Sequence, residues 1–210
     1  MELSILYAEK LRAFNHKSLS NIMPIENIPS VIKNGILCHD KAVAINHSDI
    51  SLVEVQQRRN NVTIPNGMKL HRYASLYFSA RNPMMYKRKN FANGLCVLAV
   101  SFDVLNIKGC VVTDRNAATD VVKFYTPEDG LRSIDFEKVF ARDWTDNDFS
   151  TQVNKKAIKC AEVLIPDCVP YAYIVGAYVA NEDVKADLIK SGFDKRIAVF
   201  PDLFFMKGGG

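Results

Sequence analysis

The sequence predicts an α+β fold. Strand-like and helix-like patterns mix along the chain without the regular strand–helix–strand alternation of a parallel α/β sheet. Hydrophobic residues make up 48% and charged residues 24% of the 210, enough apolar material for a sizeable core, which excludes disorder as the main state. The longest apolar stretches, residues 95–102 and 171–180, fall far short of the roughly 20 residues of a membrane helix. The length fits one domain over residues 1–210, with residues 208–210 a natural tail or a cloning scar.

The elements follow in order. Residues 1–17 carry Leu3, Leu6, Tyr7 and Leu11 at helical spacing, and the acidic Glu2 and Glu9 argue against a signal peptide. Residues 20–24 are too short to assign. Residues 25–34 predict a short helix, with Pro29 in its first turn, Ile28, Val31 and Ile32 on one face, and Gly35 as its stop. Residues 50–60 read as helix, and residues 75–79 and 95–102 as strands, the second apolar enough to be central. A short strand is expected at 111–113, a helix at 134–140, and a strand at 162–165 entered from residues 155–161. Residues 173–179 predict a strand. Asn181 caps a helix that runs through Ile189 and closes at Gly192, and residues 196–200 and 203–206 read as late strands.

Five cysteines at 38, 96, 110, 160 and 168 include no C-x-x-C pair. An odd count without close pairs fits reduced thiols in the cytoplasm better than a disulfide framework, and gives no zinc-ligand spacing. Charge is distributed unevenly. Residues 55–102 hold no Asp or Glu but eight basic side chains, so this segment is +8 and the remainder −4. Tyr73, Tyr77, Phe78, Tyr86 and Phe91 lie among those charges. Basic groups neutralise phosphates and aromatic faces stack on unpaired bases, so the pattern points to nucleic acid or a dinucleotide. Tyr77 and Phe78 point to opposite faces of a strand, so at least one of them belongs to the core.

No standard phosphate-loop or nucleophile-elbow motif is present. Three other features carry chemistry. Gln56-Gln57-Arg58-Arg59 ends a helix, either as a solvated face or as an oxyanion grip suited to the guanidinium fork. Leu70-His71-Arg72-Tyr73 and the run from Leu76 to Tyr86 gather hydrogen-bonding and stacking groups on a strand and the turn after it. Glu162 opens the apolar strand Glu162-Val163-Leu164-Ile165-Pro166. A carboxylate there is costly unless it is paired, lies at a cleft, or sits on an exposed edge.

At these places the chain resembles the DarT family, bacterial toxins that transfer ADP-ribose from NAD to bases of DNA. The resemblance runs from about Ile25 to Val179. It includes Ile25-Glu26-Asn27-Ile28-Pro29 with Gly35-Ile36-Leu37, the Gln-Gln-Arg-Arg helix, His71 to Tyr73 with Tyr77 to Met84, Val112-Thr113-Asp114-Arg115-Asn116, and Ala161 to Pro166. It implies an ADP-ribosyltransferase fold: a split, twisted β-sheet core with helices around it and NAD, the donor substrate, in the cleft. By position, Glu162 matches the catalytic glutamate and Arg59 a second catalytic residue, an arginine that engages NAD phosphate and helps catalysis. Tyr77 matches an aromatic residue near the nicotinamide. Asn21, Met23, Asn27 and Gly35 fall in the NAD-binding region.

The same resemblance makes residues 146–157 the substrate-recognition loop, where Trp144 and Phe149 stack on a base, Trp144 being equally fit for a core anchor. His71, Arg81, Tyr86, Lys87, Arg88, Arg115 and Asn116 complete the expected surface for single-stranded DNA. No metal is implied. Asn21 and Asn116 stand where the thymine-modifying members have histidines. An amide keeps hydrogen bonds but cannot carry a proton at neutral pH, and together with the wording from Tyr77 to Tyr86 this resembles the guanine-directed branch. The resemblance also implies an antitoxin partner with macrodomain-like or related ADP-ribosyl hydrolase activity. Two readings compete with it: a catalytically silent nucleic-acid-binding module, and the same chemistry on RNA or protein.

Overall fold

The computed structural model describes residues 3–206. In chain order the helices are α1 (Leu3–Arg12), α2 (Ile28–Asn34), α3 (His39–Ala42), α4 (Val53–Asn60), α5 (Pro83–Arg88), α6 (Pro127–Ser133), α7 (Phe136–Phe140), α8 (Phe149–Ile158) and α9 (Glu182–Lys190). The strands are β1 (Leu19–Pro24), β2 (Ile36–Leu37), β3 (Tyr73–Tyr77), β4 (Leu95–Val100), β5 (Val111–Thr113), β6 (Phe124–Tyr125), β7 (Glu162–Pro166), β8 (Cys168–Val169), β9 (Ile174–Val179) and β10 (Arg196–Val199). Eight of them form one sheet in the order β10-β9-β4-β1-β3-β7-β5-β6, and β2 pairs with β8. Among the described residues only β9 and β10 pair in parallel. The mixed architecture read from the sequence is the one observed.

The sheet is split in its middle. β1 pairs with β4 along all six of its residues, and β3 pairs with β7 along five. Between them, β1 and β3 share a single register pair, Ser20 with Tyr77. Period-2 alternation separates the two faces. Ala74, Leu76, Val163 and Ile165 pack into the main core with Leu98 and Val100. On β7 the opposite face therefore carries Glu162 and Leu164, and β3 supplies Tyr73, Ser75 and Tyr77 to the same side.

Several expectations need correction. Residues 20–24 belong to a central strand, which local pattern misses because its support comes from β4, about 75 positions away. α1 stops at Arg12, five residues earlier than expected, and Asn15 beyond it adopts a left-handed conformation (φ 62°). The expected start at Met1 and the glycines at 208–210 lie outside the described residues. Residues 203–206 form no strand. A 3-10 turn, Pro201–Phe204, takes their place, because Pro201 has no N–H for a ladder and Phe205 turns left-handed (φ 60°). Most of the expected loop at 146–157 is helix α8, started by Asp148, whose carboxylate accepts the Thr151 N–H at 2.7 Å. The turn read after β3 contains α5, where Asn82 accepts the Met85 N–H and Pro83 occupies the first turn. Gly35 does end α2, at φ 77°, with a Cβ built there falling 2.3 Å from the Val169 carbonyl oxygen.

Candidate active site

The split brings together side chains from β1, β3, β7 and α4. Glu162 has zero exposure, and its carboxylate is satisfied rather than orphaned. Arg59, the one buried residue of α4, places Nη1 3.1 Å from each of the two carboxylate oxygens. Arg59 Nη2 donates to Ser75 Oγ at 2.6 Å. The backbone N–H of Ala117 donates to Glu162 Oε1 at 2.9 Å. A buried carboxylate persists only with such pairing, so the group is held as an ion pair with a third, neutral donor. Tyr77 lies directly opposite Glu162 in the β3–β7 ladder. Burial, then the neighbouring Glu162 charge, drives its phenol well above the usual range, so the ring stays neutral.

A cavity of about 470 Å³ opens against this group, within the range of small-molecule sites. Asn21, Met23, Asn27, Gly35, Arg59 and Tyr77 all line it, so the six residues assigned to NAD share one wall system. Asn27 secures the loop over the cavity by a reciprocal pair with Ser48, donating to its carbonyl and accepting its N–H, each at 2.8 Å. Asn21 donates to the Ser75 carbonyl at 3.0 Å across the split, while its Oδ1 is buried without a partner. Glu162 itself lies behind Arg59 and is absent from the lining. The resemblance assigns Arg59 to the NAD phosphates, yet here both terminal nitrogens already grip Glu162 and Ser75.

The residues expected to meet an acceptor divide into two groups. His71, Lys87 and Asn116 line the cavity. His71 Nε2 lies 3.0 Å from Gln56 Oε1, its ring centroid is 4.1 Å from that of His39, and burial together with His39 lowers its pKa. The others lie away from the cavity. Arg81 braces the carbonyls of Arg142 and Asp202 and stacks on Phe205. Arg88 ties α5 to the carbonyls of Ile50 and Ser51. Arg115 pairs with Asp114 and bonds Asn154, at a second hollow shared with α8. Trp144 is buried between Tyr86 and Phe205, which makes it an anchor rather than a base platform. Phe149 is 78% exposed at the start of α8.

Sequence reading missed Ser75, His39 and the Ala117 N–H, and it quoted Gln56 and Thr113 within motifs without giving either a role of its own. Ser75 had a further signal, since it shares a strand face with Tyr77 two residues on. Among the described residues no group of three or more His, Cys, Asp or Glu side chains is placed to hold a metal. No helix there is long and apolar enough to cross a membrane.

A family model described as "DarT: ssDNA thymidine ADP-ribosyltransferase, DarT" matches residues 21–205. A DNA ADP-ribosyl transferase–DNA ADP-ribosyl glycohydrolase fusion protein of Thermosipho africanus is 29% identical over 90% of this chain and 49% of its own. The present chain thus spans about half the length of that relative. A DNA ADP-ribosyl transferase of Thermus sp. is 27% identical, over 81% of this chain and 84% of its own. Structures of Thermus sp. 2.9 DarT with ADP-ribosylated ssDNA and with NAD+ superpose with TM-scores of 0.78 and 0.73, at 24% and 23% identity. They cover 90% of this chain and 96% and 97% of that one.

Proposed function

This chain belongs to the DarT family, and from that premise we propose that it is a mono-ADP-ribosyltransferase that moves ADP-ribose from NAD to a base of single-stranded DNA. The observation that carries the reading is the Arg59–Glu162 pair set at the sheet split, against the cavity that Asn21 and Tyr77 also line. The nicotinamide–ribose bond breaks with its electron pair leaving on the nicotinamide nitrogen, and positive charge grows at the anomeric carbon. Arg59 turns from Glu162 toward the pyrophosphate, and the freed carboxylate meets the ribose hydroxyl, stabilising a charge present only in the transition state. A base nitrogen then donates its lone pair to that carbon and loses its proton to the carboxylate or to solvent. Tyr77, neutral, packs beside the nicotinamide and keeps water from competing. An unstacked base enters without a pairing cost, which favours single strands.

Guanine is the proposed base, although the family model is described for thymidine. Asn116 supports this, since its Oδ1 is committed to the Ala118 N–H at 2.8 Å. Its remaining amide donors suit the O6 and N7 acceptors of guanine, and no histidine stands there to accept a thymine proton. The reading also carries a toxin role, a cytoplasmic location, and an ADP-ribosyl hydrolase partner. The fused glycohydrolase of the Thermosipho relative supports the last of these.

The test is incubation of protein, NAD and single-stranded oligonucleotides, each lacking one base, followed by mass spectrometry. The expected product gains one ADP-ribose, requires guanine, and is lost in Glu162→Ala. Product that requires thymine retains the transferase and discards the guanine assignment. Transfer only to RNA or protein acceptors discards DNA as substrate. Salt-sensitive DNA binding with no NAD consumption would show a silent binding module.

A further inference from the structure

We propose that Thr113 is a positioning residue for Glu162, acting through the loop of residues 113–118; the inference rests on the role of Glu162 proposed above. β5 and β7 pair through Val111 with Leu164 and Val112 with Val163. The next rung would join Thr113 and Glu162 through backbone groups. A side chain replaces it. The Glu162 N–H donates to Thr113 Oγ1 at 3.0 Å, and that hydroxyl donates in turn to the Arg115 carbonyl at 2.6 Å. Thr113 has zero exposure and does not line the cavity.

The substituted rung lets the chain leave the sheet directly after Thr113 and fold back, which puts the Ala117 N–H on Glu162 Oε1. Asn116 secures the return. Its Oδ1 accepts the Ala118 N–H, and its own N–H donates to the Ala157 carbonyl near the end of α8 at 2.9 Å. The carboxylate is therefore held from two directions. The Arg59 contacts come from a side chain in the cavity wall, which turns away when substrate enters. The Ala117 contact comes from backbone fixed by Thr113 and stays. A donor already oriented before reaction costs no reorganisation when charge develops. Removing the hydroxyl frees both the Glu162 N–H and the Arg115 carbonyl, and the loop no longer sets the direction of the carboxylate.

The experiment compares wild type, Thr113→Val and Thr113→Ser for kcat and for KM toward NAD, with thermal melts of each. Valine keeps the shape and loses both hydrogen bonds. Its kcat is expected to fall about 100-fold, the scale of a misplacement near 1 Å, while KM for NAD stays within about 2-fold. Serine keeps both bonds and is expected to restore kcat to within about 3-fold of wild type. Wild-type kcat in a folded valine variant overturns the proposal, as does equal loss in kcat and in NAD affinity. If the valine variant does not fold, the serine variant decides, because a folded serine variant whose kcat falls about 100-fold below wild type also overturns it. Absence of transfer by wild type would instead refute the proposed activity, so the two failures are distinct.

Discussion

Lys159, three residues before Glu162, is 3% exposed and has no carboxylate partner among the described residues; its Nζ donates to the Val139 carbonyl at 2.8 Å. Burial lowers its pKa from 10.5 to about 8, with Cys160 opposing the shift and Arg81 adding to it. At pH 7 both the folded and unfolded chains carry the charge, and the folded one bears the full burial penalty, about 3 kcal/mol for a shift of this size. Between pH 8 and 10.5 the unfolded chain holds a proton that the native state has released, so the penalty fades as pH rises. Lys159→Met removes the charge while filling similar space, and forfeits about 1 kcal/mol by leaving the Val139 carbonyl unpaired. The net gain at pH 7 is about 2 kcal/mol, or about 4–8 °C in Tm for a chain of this length. At pH 9 the remaining penalty is about 2 kcal/mol, which halves the gain. Lys159 does not line the cavity, so transferase activity is expected to stay near wild type. Urea or thermal unfolding of both proteins at pH 7 and pH 9 measures the difference. A variant less stable than wild type at pH 7, or a difference that does not shrink by pH 9, would refute the reasoning.

Three further outcomes are expected. Ser75→Ala removes the acceptor for Arg59 Nη2, and loss of a charge-assisted hydrogen bond of about 1.5–2 kcal/mol at a buried guanidinium corresponds to a Tm lower by about 3–8 °C, read in a thermal melt of the ligand-free protein. Phe149→Ala truncates a ring that is 78% exposed at the start of α8. Its Tm should be unchanged, and binding to single-stranded DNA should weaken by about 1–3 kcal/mol in a salt-matched titration if the ring stacks on a base. Gly35→Ala places a Cβ 2.3 Å from the Val169 oxygen at a positive φ, so the α2–β2 junction must shift, and a Tm loss of several degrees in a melt is expected.

The two halves of the proposed centre differ in how far sequence alone could reveal them, and the difference is physical. Glu162 was legible because a lone carboxylate opening an apolar strand needs an explanation. Gly35 and the Asn181 cap were legible because their signals lie within a few residues of what they control. The partners of Glu162 were legible only in part. Arg59, 103 positions away, was placed in the same site by resemblance alone and assigned to the NAD phosphate rather than to Glu162, and Ala117 contributes only its backbone N–H, so no side chain at 117 records the contact. β1 escaped for the same reason, as its register depends on β4.

Charge shows the converse limit. The acid-free segment predicts a basic surface, yet Arg81, Arg88 and Arg72 spend their guanidinium groups on the carbonyls of Asp202 and Ile50 and on Asp167. Of that segment's eight basic side chains, three, Arg58, Arg59 and Lys87, line the cavity. Composition counts charges without their partners, and partners decide which charges remain for a phosphate. The salt dependence of DNA binding should therefore reflect this smaller set together with Lys156 from α8, which also lines the cavity. Lys87→Ala and Lys156→Ala are each expected to reduce the slope of log K against log salt by about 0.7, whereas Arg88→Ala should leave the slope unchanged while lowering Tm. Equal slopes in all three variants would mean that DNA runs over the outer surface of α5 rather than through the split between β1 and β3.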